Sequence, residues 1–361
     1  MNTSSLQKFE VQNTKAFLQD ILDIFSSARA EDTIWVQSML FEPGQHTESI
    51  VEALCKAKGN GASVYVLIDS FGILTTEEVP MKSLFLTSIP PKILKKDAEK
   101  KKLINRLKNV GIDFCITGSM GKIKSTFPIA FCNHRKSYGL INEKRGKYYT
   151  WITGVNIADT SFAYFDLAIK IYHEKLIKKI YEKFLDDYYG RNQWQNNTYT
   201  IDTNDKYLIE NNSNVSNIRK EAYSLISNAE KFIRFVTQYP PDPFLLSEFI
   251  KKAKQGIKIE IITSDIKDEF NSRTVFNIFN TNFNNKLKLF PNMKRGYFPG
   301  KVHAKLLFSE KELLIGSDNI IIISKILQTK ENMLYISHNE SLTSQLNKFF
   351  NLGWDTARKN Y

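Results

Sequence analysis

Two stretches decide how this chain folds: FCNHRKSYGLINEKRGKYYTWITGVNIAD at residues 131–159 and GKVHAKLLFSEKELLIGSDNIII at residues 300–322. Each opens on His-x-Lys, His134 with Lys136 and His303 with Lys305. A mostly apolar run, a turn and a second apolar run follow, and each stretch closes on a glycine-containing turn that ends in asparagine. The first set is completed by Gly154 and Asn156, the second by Gly316, Ser317 and Asn319. On a strand, residues i and i+2 point to the same side, so His and Lys share one face. The paired strand then returns Asn, and in one copy Ser, to the same edge. Such a cluster offers a nucleophile or proton donor, a fixed cation and an amide donor, a set suited to displacement at phosphorus. One His-x-Lys alone is commonplace, whereas two in matching contexts are a pattern.

Outward from these stretches, the same order of elements repeats. Thr14–Ala28 has helical spacing, TIWVQSMLF (33–41) reads as a strand, 48–58 as a helix and ASVYVLID (62–69) as a buried strand after a Gly-Asn-Gly turn. In the second half Ile218–Ala229 is helical, Lys231–Tyr239 a strand, Phe244–Lys254 a helix and Ile257–Asp265 a strand after Gly256. Alternating strands and helices predict an α/β fold, and the repeat predicts duplication. The division falls into an N-terminal half, residues 1–200, and a C-terminal half, residues 201–361, each with one His-x-Lys motif. Arg191–Asn217, rich in Asn, Thr, Ser and Asp, reads as a linker or surface loop.

The chain has 361 residues, enough for about two domains of roughly 150 each. It is 42% hydrophobic and 24% charged, which excludes collagen-like and wholly disordered classes. Three cysteines, Cys55, Cys115 and Cys132, without paired spacing argue for a reducing compartment and against a disulfide framework or a cysteine-based zinc site. Apolar runs fall short of the ~18 residues that span a bilayer, and the N-terminus lacks the pattern of a cleavable signal. These features predict a soluble chain. Fifty Lys and Arg against 38 Asp and Glu give a net charge of +12, suited to nucleic acid or an acidic membrane surface alike, though biased codon usage would give the same count. Lys92–Lys108 concentrates eight basic residues around Leu94, Leu103, Ile104 and Leu107. It reads as a helix with a thin apolar stripe, either a solvated face or a surface for lipid headgroups or a phosphate backbone.

On these residues the chain resembles the phospholipase D superfamily, whose motif is H-x-K-x4-D-x6-G-S-x-N, with a flavour closest to bacterial cardiolipin synthase-like phospholipid transferases. NHRK and GVNIAD in the first copy, VHAK and GSDN in the second, VLIDSFG and the helices after each motif carry the likeness, over roughly Thr14 to Trp354. The resemblance implies two similar halves, each a mixed, mainly parallel sheet flanked by helices, packed with pseudo-two-fold symmetry around one active site. It implies a covalent phosphohistidine intermediate and no metal or cofactor. His134 is then the nucleophile and His303 the general acid. Lys136 and Lys305 neutralise the non-bridging oxygens, and Asn156, Asn319 and Ser317 donate hydrogen bonds to them. The chain departs from the motif where Glu310 replaces Asp in the second copy, where Ile141 beside Asn142 replaces it in the first, and where Gly154 stands for Ser. Glu310 is expected to be a solvent-facing turn residue.

The expected activity is phosphodiester cleavage or phosphatidyl transfer on a phospholipid, by a cytoplasmic monomer held peripherally on an anionic membrane surface. A nuclease acting on DNA or RNA, and a catalytically dead binding homologue, are the alternatives. His46, His173 and His338 have no second ligand at metal spacing and are expected to be structural. Tyr239–Pro243 and Phe298–Pro299 are expected to be turns, with a place at the pocket wall as the other reading.

Overall fold

The computed structural model describes residues 9–74, 91–117, 132–190, 197–202, 206–211, 217–265, 274–322, 329–337 and 339–360. These form two compact units. The first comprises Gln12–Ala163 with Ala168–Gln193; the second comprises Trp194–Tyr361, the N-terminal residues to Val11, and the short segment Tyr164–Leu167.

The chain enters through β1 (Phe9–Asn13) and α1 (Thr14–Ser26). Phe17, Ile21 and Phe25 recur every fourth residue on one face of α1 and are fully buried, and the Asn13 side chain caps the helix by accepting from the Ala16 N–H. Then follow β2 (Thr33–Leu40), α2 (Gln45–Gly59), β3 (Ser63–Asp69), α3 (Ser70–Leu74), α4 (Pro91–Asn109) and β4 (Asp113–Thr117). The first motif leads into the hairpin β5 (Ser137–Asn142) and β6 (Lys147–Thr153), then α5 (Asp159–Ala163), β7 (Leu167–Ile171) and α6 (Glu174–Tyr188). The sheet runs β1-β7-β6-β5-β2-β3-β4. Its core joins α1, α2 and α4 to the sheet, with Ile34, Val36, Val64, Val66, Leu107 and Trp151 at its centre.

The second unit repeats the plan. Its elements are β8 (Asn197–Asp202), β9 (Lys206–Asn211), α7 (Asn217–Asn228), β10 (Phe232–Val236), α8 (Pro243–Lys254), β11 (Lys258–Ser264), α9 (Thr274–Leu287) and β12 (Met293–Phe298). After the second motif come β13 (Leu306–Ser309), β14 (Glu312–Gly316), β15 (Glu331–Ser337), α10 (Glu340–Thr356) and β16 (Arg358–Asn360). The sheet runs β16-β12-β11-β10-β13-β14-β15-β9-β8.

Both sheets are mixed and flanked by helices, as expected, but antiparallel pairs outnumber parallel ones. The strands linked by helical crossovers, β2-β3-β4 and β10-β11-β12, pair in parallel. Each motif feeds a short-turned hairpin, β5-β6 and β13-β14, and a tight turn can join only antiparallel strands. The stretch read as a linker holds an antiparallel pair, β8-β9, with β9 added to β15. Polar loop composition concealed the apolar pair Leu208 and Ile209, both of which are buried.

Candidate functional site

Neither His-x-Lys pair lies on a strand. His134 and Lys136 occupy the lead-in to β5, and His303 and Lys305 the lead-in to β13. In both, the lysine folds back so that its ammonium donates to the carbonyl of its own histidine, at 2.6 Å for Lys136 and 2.5 Å for Lys305. Both lysines are buried. A buried ammonium is costly unless its protons find acceptors, and this bond supplies one. The repeated geometry shows that each cation is locked to its histidine rather than extended into solvent.

The first pair sits in a buried polar network. Asn133 and Arg135 flank His134, and both reach Asp187 near the end of α6, at 3.1 and 2.7 Å. Gln37 on β2 donates to the same carboxylate at 2.9 Å, and the Asn133 N–H donates to Asp69 at the end of β3. Three elements therefore fix the backbone that carries His134. Asn156 is buried, and its Oδ1 accepts from the Leu40 N–H at 3.2 Å. Because a backbone N–H can only donate, that contact assigns the oxygen to β2 and leaves Nδ2 as the donating end of the amide.

The second pair is built differently. Val302 and Ala304 take the places of Asn133 and Arg135, and fixation comes from Tyr164–Leu167. The Phe165 carbonyl accepts from both the His303 and Ala304 N–H groups, and the Phe165 N–H donates to Lys301. The Phe165 ring stacks between Phe298 and Phe349, with centroids 4.6 and 4.5 Å away. This segment delivers Asp166, whose buried carboxylate lies 2.8 Å from His303 Nδ1. An ionised carboxylate only accepts, so Nδ1 carries the hydrogen and Nε2 is the nitrogen left for chemistry.

Ser317 gives its hydroxyl proton to Glu331 at 2.5 Å and accepts from the Asn332 N–H at 3.0 Å. It thus ties the turn after β14 to β15. Gly316 is required there, since a Cβ would meet the Asn332 carbonyl at 2.2 Å. Asn319 is half-buried with its Oδ1 lacking a hydrogen-bond partner. The next residue, Ile320, has φ +56°, a left-handed conformation costly for a β-branched side chain. Buried Arg219 holds it by donating to the Ile320 carbonyl and to Asp242, which also accepts from the Ile322 N–H. Asp242 caps α8 as well, so YPPDP is a structural turn with one charged member committed to the motif loop.

Glu310 corrects the expectation of a solvent-facing residue. Its carboxylate accepts from the N–H groups of Glu230, Lys231 and Phe232 at the start of β10, at 2.8, 3.2 and 3.2 Å. Partial burial raises its pKa, but the backbone donors outweigh that and hold it below the usual carboxylate value. In the first unit Asn142 does the equivalent work, bonding Asp32 at the start of β2, so the missing motif Asp is replaced locally.

The other histidines have structural places. His173 caps α6 through Nδ1, and His46 packs edge-on against Phe162. His338 lies outside the described residues. Lys92–Lys108 is helical, but Leu103, Ile104 and Leu107 are buried in the first unit's core, so the apolar stripe is not a lipid-facing one. Lys100 is buried too, donating to the Gly72 carbonyl at 2.7 Å, and desolvation pulls its pKa down to about 8. Lys101, Lys102, Arg106 and Lys108 are exposed.

Sequence reasoning missed Asp166, Glu331 and Asp187. A signal for the first two was present: the strand after each glycine-Asn turn is opened by an acidic residue, Asp166 before β7 and Glu331 at the start of β15.

Residues 223–354 match the domain family described as cardiolipin synthase, PLD-like domain. No curated protein sequence matches the chain. Among solved structures, the chain is similar to phosphatidylserine synthase of Haemophilus influenzae Rd KW20, with a TM-score of 0.75 at 13% identity, covering 98% of this chain and 87% of that one. It is also similar to polyphosphate kinase from Porphyromonas gingivalis, with a TM-score of 0.58 at 12% identity, covering 96% of this chain and 50% of that one. At such identities the likeness is one of fold.

Proposed function

Residues 223–354 match the cardiolipin synthase, PLD-like domain, and from that premise we propose that the chain is a phospholipase D-like enzyme that cleaves or transfers a phosphodiester of a phospholipid. The observation that carries this reading is the Asp166–His303 pair beside a lysine locked to the same histidine, in a chain with a second His-x-Lys pair of the same geometry.

In the proposed reaction one imidazole attacks phosphorus while the bond to the leaving alcohol oxygen breaks, and the other imidazole gives that oxygen its proton. Water or a second alcohol then gives up its proton to the latter imidazole, attacks phosphorus and releases the first. We assign His134 as nucleophile and His303 as acid, by likeness to the family. Lys136 and Lys305 stabilise the charge on the non-bridging oxygens, with Asn156 and Asn319 as amide donors. Ser317 and Glu331 hold the second turn in place. A phospholipid is favoured over nucleic acid by the domain match, and similarity to a phosphatidylserine synthase fold agrees with that. Among the described residues no helix is long and apolar enough to cross a membrane, so the proposed association is peripheral, through the exposed basic face of α4.

The test is turnover of phosphatidylglycerol vesicles against labelled single-stranded DNA, both in EDTA. Lipid should be processed, and His134→Ala or His303→Ala should each abolish it, the double variant being no worse than either single one. Cutting of DNA with vesicles untouched would overturn the lipid assignment. A single variant with near wild-type rate would overturn the two-histidine reaction.

A further inference from the structure

The second unit buries a guanidinium that no carboxylate hydrogen-bonds among the described residues. Arg295 on β12 is fully buried. Its Nε donates to Thr263 Oγ1 at 2.9 Å and its Nη1 to Asn284 Oδ1 at 3.3 Å, both neutral acceptors, while Nη2 has no partner. The Tyr297 ring lies 4.1 Å and the Phe283 ring 5.1 Å from the guanidinium carbon. Tyr297 and Asp265 both favour its charged form, and Asp265 also lies 3.8 Å from Arg358. Burial lowers the Arg295 pKa only to about 10, so it stays charged at neutral pH.

The surroundings share this lack of partners. Thr237, Thr263 and Tyr297 lie in one row at the carboxyl ends of β10, β11 and β12, as the register Val236↔Ile262 and Thr263↔Tyr297 requires. Arg295, two residues before Tyr297, shares their face of the sheet, the face covered by α9. Asn280 lies one helical turn before Asn284 on α9. Thr237 Oγ1 and both amide atoms of Asn280 are buried without hydrogen-bond partners. Four orphaned polar atoms from three elements thus converge on one buried layer. In the first unit Phe114 stands where Arg295 does, paired with Val66 as Arg295 is with Ile261, and it packs on the core. The buried guanidinium is therefore not demanded by the fold.

We propose that Arg295, Asn280 and Thr237 form a binding site for a small oxyanion, a carboxylate or phosphate group, under α9 at the carboxyl ends of β10–β12. The site's donors are Arg295 Nη2, the Asn280 amide and the Thr237 hydroxyl. Water would satisfy their hydrogen bonds but would leave the buried positive charge without a hydrogen-bonded counter-charge, which an oxyanion supplies. Open α/β sheets bind ligands outside the carboxyl ends of their parallel strands, as here. The site adjoins the second motif, since Ser264, next to Thr263, accepts from the Val302 N–H beside His303. The inference does not depend on the proposed reaction.

Thermal stabilisation by inorganic phosphate tests it in a Lys136→Ala/Lys305→Ala background, where the motif cations are gone. Phosphate at about ten times its Kd should raise Tm by about 2 °C in that background. Adding Arg295→Met should remove the shift, and adding Arg295→Lys should weaken it. Circular dichroism and the phosphate-free melting curve confirm that each variant is folded. If Arg295→Met fails to fold, Asn280→Leu replaces it with the same expectation. Water alone in the site predicts no phosphate shift before Arg295 is changed, and that result overturns the proposal, as does a shift undiminished by Arg295→Met or Asn280→Leu. In the otherwise wild-type enzyme, a rise in KM confined to short-chain lipids with a carboxylate in the headgroup identifies the anion as part of the substrate. An unchanged KM with the phosphate shift intact identifies it as a free ion.

Discussion

Asp166 Oδ2 lies 2.8 Å from His303 Nδ1, although well over a hundred residues separate them in the chain. The contact fixes the tautomer of one proposed catalytic imidazole through a residue delivered from the first half of the sequence. Asp166→Asn keeps the volume but can present an N–H to Nδ1 and so favour the wrong tautomer. Turnover should fall on the order of 10²-fold or more, with KM and the melting temperature little changed. Steady-state kinetics across pH, beside a melting curve, check this. A loss of Tm that accounts for the lost activity would reduce Asp166 to a structural role.

Glu310 stands where the family motif has Asp, and its carboxylate closes the start of β10. Glu310→Gln should cost about 1 kcal/mol in a urea titration while leaving turnover per folded molecule unchanged. The sign of its pH dependence follows from the depressed folded pKa. The stabilisation is fully present above the ordinary carboxylate value of 4.5 and is lost as pH falls below it toward the folded value. The variant should therefore lose its deficit relative to wild type in acid. A deficit that persists unchanged at pH 3 would show that charge is not the cause.

Lys100 and Lys101 are neighbours with opposite fates. Lys100 is buried, with its pKa lowered to about 8 from 10.5, so between those values the unfolded chain holds more protons than the folded one. Stability should rise with pH across that window, and Lys100→Met should flatten the rise. Lys101 and Lys102 are exposed, and the double change to Gln should weaken binding to anionic vesicles at low salt by about 1 kcal/mol per charge, and less at high salt. Co-sedimentation at two ionic strengths measures it. Equal vesicle binding by wild type and the double variant would remove α4 from the proposed membrane surface.

The sequence by itself determined the repeated α/β plan, because hydrophobic periodicity and glycine turns are local signals that survive duplication. It also determined both His-x-Lys pairs and the two glycine-Asn turns, since those depend on short spacings. Tertiary structure alone decided the rest. The order of chain segments gives no sign that Tyr164–Leu167 joins the second unit, because that follows from where Phe165 finds stacking partners in Phe298 and Phe349. Asp166 could not be assigned to His303 before that packing was known. The fates of Lys100 and Lys101 were likewise hidden in a uniformly basic run. Which lysine a helix buries is set by its rotation against the core, and here Leu103, Ile104 and Leu107 turn Lys100 inward.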